Sequence, residues 1–306
     1  NTYGWTITDG GGIAETPFIM NVRSNNGSLS YIVTTNPSYT YDYNISTSDG
    51  QSFSNLTGDI EIFFPAASTD YDIEITGIFP GLYVNSVALA TRINEIKQWG
   101  SQVWRTFDRA FYGCSFLANV TAIDDPNTNL VESMIRAFYN CGAIAGIDFS
   151  TWNMGNVTNF QETFRSTQGT SWHGQLVNWD TSKATTMFRM FANVAYNQDL
   201  SNWDVSSVTN FGQMFTNNNV IDQSFAAWNI GQATLISTAF SNFISTGTLS
   251  TANYDATLIS WAAQAPTSNV GATFGGSQYT LGGAAEAARN TLTTTYGWII
   301  TDGGGV

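Results

Sequence analysis

Large aromatic residues recur at regular intervals along the second half of the chain. Tryptophans stand 24 to 27 residues apart at 152, 179, 203 and 228, and a phenylalanine follows each of them twelve positions later. The same template fits upstream from Trp99, and again from Pro126, where proline replaces the tryptophan. A unit of this length cannot bury both rings by itself, so neighbouring units must stack on a shared core. The pattern predicts six stacked coils with a core ladder formed by Trp99, Trp152, Trp179, Trp203, Trp228, Phe111, Phe138, Phe164, Phe191, Phe215 and Phe240.

The residues around each tryptophan follow the spacing of a leucine-rich repeat. Apolar side chains stand three positions before and two positions after, as in Leu200, Trp203 and Val205. This spacing, in repeats of about 20 to 29 residues, is typical of leucine-rich solenoids, in which each coil adds one strand to a parallel sheet. An open end of such a solenoid exposes apolar surface. We therefore expect segments 254–265 and 283–294 to form helices that cover the last coil.

The first ninety residues have a different pattern, with short runs in which apolar and polar residues alternate. Turn sequences such as Ser-Asp-Gly at 48–50 separate these runs. Six or seven short strands between such turns are typical of a small β-sandwich. The predicted fold class is therefore mainly β with some α: an N-terminal Ig-like β-sandwich followed by a leucine-rich-repeat solenoid with a helical C-terminal cap.

Two segments near the ends of the chain have almost the same sequence. Residues 2–12 read TYGWTITDGGG and residues 295–305 read TYGWIITDGGG. The overlap predicts a longer parent built of tandem modules, and a duplicated short linker is the alternative. The predicted organisation is the end of a preceding module (1–13), the sandwich (14–92), about six coils (93–252), and a cap with the junction to the next module (253–306).

Charge and composition exclude several classes of function. Charged residues make up 11% of the 306 residues, and the formal net charge is −13. We expect the ten basic residues to form no cluster and no basic stripe, which argues against nucleic acid as a partner. No apolar run approaches the roughly 18 residues of a membrane helix, so we expect no membrane insertion of this segment. The chain has one histidine and two isolated cysteines, which are too few for a Ser-His or Cys-His catalytic site or for a zinc site. We therefore expect no enzyme activity, no catalytic residue and no metal site.

Several sequence segments resemble those of bacterial surface proteins with BspA-type leucine-rich repeats. They are WDVSSVTNFGQMF at 203–215, WNMGNVTNFQETF at 152–164, AFYGCSFL at 110–117 and AFYNCGAI at 137–144. NYDATLISWAAQ at 253–264 and EAARNTLTTTYGW at 286–298 resemble the closing segment of such proteins in flavobacteria. The sandwich resembles the Ig-like modules of PKD type that precede these repeats. The resemblance implies an extracellular location at the cell surface and an adhesive role.

Polar residues on either side of the tryptophans are the candidate binding residues. On a strand, these side chains would point away from the core and form parallel rows that offer hydrogen bonds to sugars or peptides. The alternative is that the short polar residues keep the sheet soluble and bond along their own rows. Asp180 and Asp204 would stack one coil apart, which favours a cation such as calcium between them, although no DxDxDG loop is present. The predicted rows contain Asn153, Asp180, Asp204, Asn229, Asn178 and Asn202.

Cys114 and Cys141 occupy the same phase of the repeat, three positions after Phe111 and Phe138. Stacking of adjacent coils would bring them near disulfide distance, and an exported protein meets oxidising conditions. A reduced, buried pair is the alternative, because cysteine packs well as a small apolar side chain.

The sequence as a whole predicts a repeating module of an exported cell-surface adhesin fibre. Each module would bind surface glycans or proteins weakly, and neighbouring copies in tandem would make the attachment strong by multivalency. No cofactor other than calcium is expected. A structural stalk and the receptor-binding fibre of a bacteriophage remain as alternatives.

Overall fold

The computed structural model of the chain describes residues 15–24, 29–117, 119–142, 144, 146–169, 173–233 and 239–306. The predicted module end at 1–13 lies outside these residues. The strands are β1 (Phe18–Arg23), β2 (Ser30–Val33), β3 (Asp42–Thr47), β4 (Ser52–Leu56), β5 (Ile60–Phe63), β6 (Asp70–Ile78), β7 (Ile93–Gln98), β8 (Asn119–Val120), β9 (Phe240–Ile244), β10 (Gly271–Phe274) and β11 (Ile299–Thr301). The helices are α1 (Val87–Ala90), α2 (Thr251–Ala263) and α3 (Ala284–Asn290), with 3₁₀ turns at Phe149–Thr151 and His173–Leu176 and a π-helical turn at Thr291–Thr295.

The N-terminal part is built on a six-stranded sheet with the order β4-β3-β6-β1-β7-β8. Its strands are antiparallel except for the pair β7 and β8. Alternation places one face of each strand in the core: in β3, Tyr43 and Ile45 are buried whereas Asp42 and Asn44 are exposed. A separate antiparallel pair, β2 and β5, adds Tyr31 to the same core.

The sheet continues directly into the repeated region. β7 pairs with β1 in the middle of the sheet, and β8 then adds in parallel to β7. The ring of Phe18 in β1 lies 6.1 Å from Trp99 and 5.1 Å from Trp104, between ring centroids. The buried residues of the two halves therefore form one hydrophobic cluster. No observation tests the predicted domain boundaries, which stay a prediction.

Successive repeats are joined by backbone hydrogen bonds in a parallel arrangement, but not through strands. Phe107, Arg109 and Phe111 donate their N–H groups to carbonyl oxygens of the next turn at 2.8 to 2.9 Å, and the following turns repeat this pattern. Arg109 has a φ of 52° and Glu162 a φ of 55°. A pleated strand requires negative φ throughout, so this segment forms stacked turns.

The last part of the chain closes the stack of turns. β9, β10 and β11 form a parallel sheet with β10 in the centre. α2 and α3 pack against each other, and Tyr254 and Trp261 of α2 contact Phe274 of β10. Tyr254, Leu258 and Trp261 of α2 are buried.

The predicted solenoid architecture is wrong. Among the described residues between Val120 and Phe240 there is no strand, and single bridges such as Ser133 to Asn159 link the turns instead of a continuous parallel sheet. The segment around Trp152, where a strand was expected, starts as a 3₁₀ turn. The N-terminal sheet also extends into the repeats through β7 and β8, so it is not a closed Ig-like sandwich. Only the broad class, mainly β with some α, agrees with the structure.

Candidate functional site

The repeated phenylalanines form a column of parallel rings through the turns. Centroids of successive rings lie 5.5 to 5.9 Å apart with interplanar angles of at most 14°. The column contains Phe111, Phe138, Phe164, Phe191 and Phe215. The predicted sixth ring, Phe240, instead stacks on Phe211 at 4.9 Å, and Phe243 lies against Phe215. All these rings are buried, so they hold the stacked turns together and do not contact solvent or a ligand.

The repeated tryptophans link each turn to the previous one through their indole N–H groups. Each of three indoles donates to the carbonyl oxygen three positions before the preceding tryptophan. The distances are 2.8, 2.9 and 3.0 Å for Trp179, Trp203 and Trp228. Trp99 and Trp152 are buried too, and their rings meet edge to face at 5.7 Å. Among the described residues, the indole nitrogen of Trp152 has no hydrogen-bond partner.

The predicted binding rows do not lie on a strand. The side-chain Oδ1 atoms of Asn153, Asp180, Asp204 and Asn229 each accept the backbone N–H two residues further on, at 2.9 to 3.1 Å. This is the geometry of an Asx turn, in which the side chain fixes its own loop. All four residues are exposed, as are Asn178 and Asn202. No observation tests whether these rows bind a ligand, which stays a prediction.

Hydrogen bonds from the turn also affect the acidity of one of these carboxylates. The side-chain and backbone hydrogen bonds of Ser182 lower the pKa of Asp180. The described residues contain no group of three His, Cys, Asp or Glu side chains placed to hold a metal ion.

A second set of residues, which occupies equivalent positions in successive repeats, comes together on the surface. They stand ten and thirteen positions after the tryptophan, or after Pro126, in successive turns. Because the turns stack in register, residues 23 to 28 apart in sequence become neighbours. We call this set the arginine stripe: Arg109, Tyr112, Arg136, Tyr139, Glu162, Arg165 and Arg189.

Glu162 is the centre of the arginine stripe. Its side chain is only 1% exposed and accepts from Arg136 at 2.5 Å and from Arg165, while Arg189 lies 3.6 Å away. Burial alone would raise the pKa of Glu162, but the hydrogen bonds from Arg136 and Arg165 outweigh burial, so that its pKa is lowered. One buried carboxylate therefore holds three guanidinium groups, each still 26 to 33% exposed.

Tyrosine rings extend the stripe toward the N-terminal sheet. Tyr112 and Tyr139 stack with their centroids 5.0 Å apart, and Arg165 lies over Tyr139 at 5.2 Å. The guanidinium of Arg109 lies between Tyr83 and Tyr112, at 5.6 and 6.0 Å from the ring centroids. Such contacts hold a guanidinium group flat against a ring and keep its edge available for hydrogen bonds.

The repeated region that carries the stripe matches a known family. The family model described as "Mycoplasma protein of unknown function, DUF285" matches residues 83–194 and, in an overlapping second match, residues 132–252. Together the two matches cover more than half of the 306 residues. The chain belongs to the DUF285 family. No curated protein and no solved structure gives a significant match.

The DUF285 matches contain the whole arginine stripe, which sequence reasoning missed. The expectation that the basic residues form no cluster is wrong, because it considered neighbours along the chain only. Arg109, Arg136 and Arg189 share one phase of the repeat, and this common phase was the signal that could have revealed the stripe. The positive φ of all three residues, 52° to 55°, was not evident from the sequence.

The stripe has the chemistry of an anion-binding surface. Four guanidinium groups face two nearby carboxylates, those of Glu162 and Asp108. Burial raises the pKa of Asp108 in spite of the adjacent Arg109 and Arg136. A guanidinium presents paired N–H donors that match the oxygens of carboxylate, sulfate or phosphate groups.

The two cysteines of this DUF285 chain are free thiols rather than a disulfide. Both are buried, and the Cys141 thiol donates to the backbone oxygen of Cys114 at 3.4 Å. Burial raises the pKa of both thiols, which keeps them protonated. Both thiols are free in the structure, and the choice between a disulfide and a reduced pair stays a prediction.

We expect both thiols to be unreactive in the folded protein. Because a thiolate is the reactive form and both groups are buried, Ellman's reagent should label fewer than one thiol per native chain within minutes, and both thiols in guanidinium chloride. Absence of labelling under denaturing conditions without reductant would show a disulfide and contradict the structure.

No described helix combines the length and apolarity needed to span a bilayer.

Proposed function

We propose that this chain is a binding module of a bacterial surface protein and that its arginine stripe contacts acidic glycans. The observation that supports this most is the convergence of four of the ten basic residues on one face of a chain with a net charge of −13. The acidic residues on the rest of the surface repel anions, so a polyanion would be directed to the arginine stripe. Uronate and sulfate groups fit the paired N–H donors of guanidinium groups.

The resemblance of the repeats to BspA-type surface proteins supports the same proposal. Membership of DUF285 is compatible with a surface protein that contains repeats. The segments at 152–164 and 203–215 resemble BspA-type surface proteins. We propose an extracellular location at the cell surface on this basis. Weak binding by one stripe would become strong when several modules act together.

The role of the stripe can be measured with one pair of substitutions. In Arg109→Gln/Arg189→Gln, we expect affinity for hexagalacturonate to fall about tenfold, since each charge-assisted contact at a surface contributes up to about 1 kcal/mol. Isothermal titration at low ionic strength measures the change. Binding by the wild type should weaken as salt is added, because the guanidinium groups remain in contact with water.

The matched control is Arg23→Gln/Arg105→Gln. It removes the same two charges from exposed arginines that pair with Asp70 and Glu132, outside the stripe. We expect its affinity to stay within about twofold of the wild type, because distant charges are screened. Equal losses in both variants would show a general charge effect and contradict the proposal. No binding of the carbohydrate but binding of polyglutamate would indicate an acidic protein as partner, and no binding of either would favour the stalk.

The expectation that the chain is not an enzyme stays a prediction. A surface cavity of about 620 Å³ lies between the N-terminal sheet and the first turns. Its charged lining residues are Arg105 and Glu132, which form an ion pair with each other at 2.9 Å.

A further inference from the structure

The C-terminal segment 295–305 closes the molecule by inserting into a site made by the preceding elements. β11 within this segment pairs in parallel with β10, so the segment adds the outer strand of the three-stranded sheet. We call residues 295–305 the closing segment. Its binding site, which we call the socket, is formed by β10 together with Phe240, Tyr254, Trp261, Thr267 and Arg289.

A buried tryptophan anchors the closing segment. The indole of Trp298 is buried, lies 6.0 Å from Phe240 and 6.3 Å from Trp261, and donates to the carbonyl oxygen of Thr267 at 2.8 Å. Trp298 thereby repeats the arrangement of the indoles in the turns, each of which donates to a backbone oxygen of an earlier segment. The socket therefore recognises both the shape and the N–H group of an indole.

An ion pair fixes the other half of the closing segment. The side chain of Asp302 is only 4% exposed. It accepts two hydrogen bonds from Arg289, at 2.8 and 3.1 Å, and one from the hydroxyl of Tyr254 at 2.7 Å. A carboxylate at this position is required, because an amide would leave the guanidinium without its counter-charge.

The glycines of the closing segment are also required by the geometry of the socket. Gly297 has a φ of 67°, and a Cβ there would lie 2.7 Å from the Oδ1 atom of Asn269. A Cβ on Gly303 would clash with the backbone oxygen of Gly276, and one on Gly305 would clash with Leu281. A side chain at Gly297 would strain the backbone and one at Gly303 would meet it, whereas a side chain at Gly305 would have to displace Leu281.

The same required residues occur a second time in the chain, in residues 2–12. Trp5 corresponds to Trp298 and Asp9 to Asp302, and the three glycines correspond to Gly4, Gly10 and Gly12. The single difference is Thr6, which corresponds to Ile299. Ile299 is 74% exposed, so the difference falls on a side chain that the socket does not contact closely.

We propose that residues 2–12 are a second closing segment that occupies the socket of another copy of this module. Each socket accepts one extended peptide as an added parallel strand, with the indole and the carboxylate as its specificity determinants. In this chain the socket is filled by residues 295–305, and the sequence of residues 2–12 meets the same requirements for the equivalent socket of a neighbour. The inference rests on the socket and the two sequences, and does not depend on the arginine stripe.

The test uses the full chain with its own closing segment weakened. In Trp298→Ala, residues 2–12 of one copy should enter the socket of another, so sedimentation velocity should show oligomers that grow with protein concentration. The matched control, Trp5→Ala/Trp298→Ala, should stay monomeric. A monomeric Trp298→Ala chain, or oligomers of the same size in both variants, would overturn the proposal.

A labelled peptide with the sequence of residues 2–12 gives an independent measurement. A tethered segment competes at an effective concentration of about millimolar, so the peptide should bind the double variant at least tenfold more tightly than the wild type. Peptides with Trp5→Ala or Asp9→Asn should lose this binding. Equal binding of the altered peptides would also overturn the proposal. If circular dichroism shows that the double variant is unfolded, Asp302→Asn with Asp9→Asn replaces it, because this pair keeps both indoles.

Discussion

Replacement of Glu162 by alanine should lower the free energy of unfolding by about 3 kcal/mol or more. Removing one partner of a buried ion pair costs about 3–5 kcal/mol, and the partly exposed arginines place the expected loss near the lower end. The three guanidinium groups of Arg136, Arg165 and Arg189 would repel one another without the carboxylate. Urea denaturation followed by circular dichroism measures the change.

The control for this prediction is Glu132→Ala. Glu132 also pairs with an arginine, Arg105 at 2.9 Å, but both side chains are about half exposed. A surface pair of this kind contributes at most about 1 kcal/mol. Similar losses in the two variants would contradict the central position assigned to Glu162.

The stability of the protein should also depend on Glu162 in acid. Because the pKa of Glu162 is lower in the folded chain, its contribution is complete above the unfolded-state pKa of roughly 4.3 and disappears as the pH falls through the folded-state pKa. The difference in stability between wild type and Glu162→Gln should therefore shrink below about pH 4. A difference that stays constant down to pH 2 would contradict this assignment.

Replacement of Trp203 by alanine should lower the free energy of unfolding by about 3–5 kcal/mol, as for other buried aromatic residues. Its ring stacks on Trp179 at 6.5 Å, and its indole nitrogen donates to the backbone of Leu176. Trp203→Phe keeps part of the packing but removes one of the two hydrogen bonds that the Leu176 oxygen accepts, the other coming from the backbone N–H of Trp179. We therefore expect a loss of about 0.5–1.5 kcal/mol from the hydrogen bond in addition to the change in volume.

Trp152→Phe is the matched control for the hydrogen bond. Trp152 is equally buried, but its indole nitrogen has no partner in the part of the chain that the structure describes. The same change in ring size there should cost less than in Trp203→Phe. Chemical denaturation of both variants makes the comparison, and equal costs would show that the indole hydrogen bonds do not stabilise the stacked turns.

The spacing of aromatic residues contained most of the information about packing, and little about backbone conformation. Phe111 to Phe215 recur at a fixed phase, so their stacking follows from the need to bury large rings. The same pattern placed strands around tryptophans such as Trp152, where the structure has turns fixed by Asn153 and its equivalents. Apolar spacing alone cannot separate a strand from a tight turn when both bury every third residue.

The arginine stripe shows a second limit of sequence reasoning. Charge was assessed along the chain, where Arg109 and Arg136 are 27 residues apart, whereas the fold brings their repeat positions together. The left-handed backbone at these positions also has no signal in residue type, since arginine and glutamate rarely adopt it. Inter-turn hydrogen bonds impose this conformation, and they depend on tertiary structure.

The most direct test of the proposed role of the stripe is a titration of the full chain with hexagalacturonate, followed through the side-chain Nε–H signals of arginine by nuclear magnetic resonance. Single Arg→Gln variants assign the signals. We expect the signals of Arg109, Arg136, Arg165 and Arg189 to shift together and to saturate, while those of Arg23 and Arg105 stay in place. Shifts of Arg23 and Arg105 of the same size, or no shift at the four stripe arginines, would contradict the account.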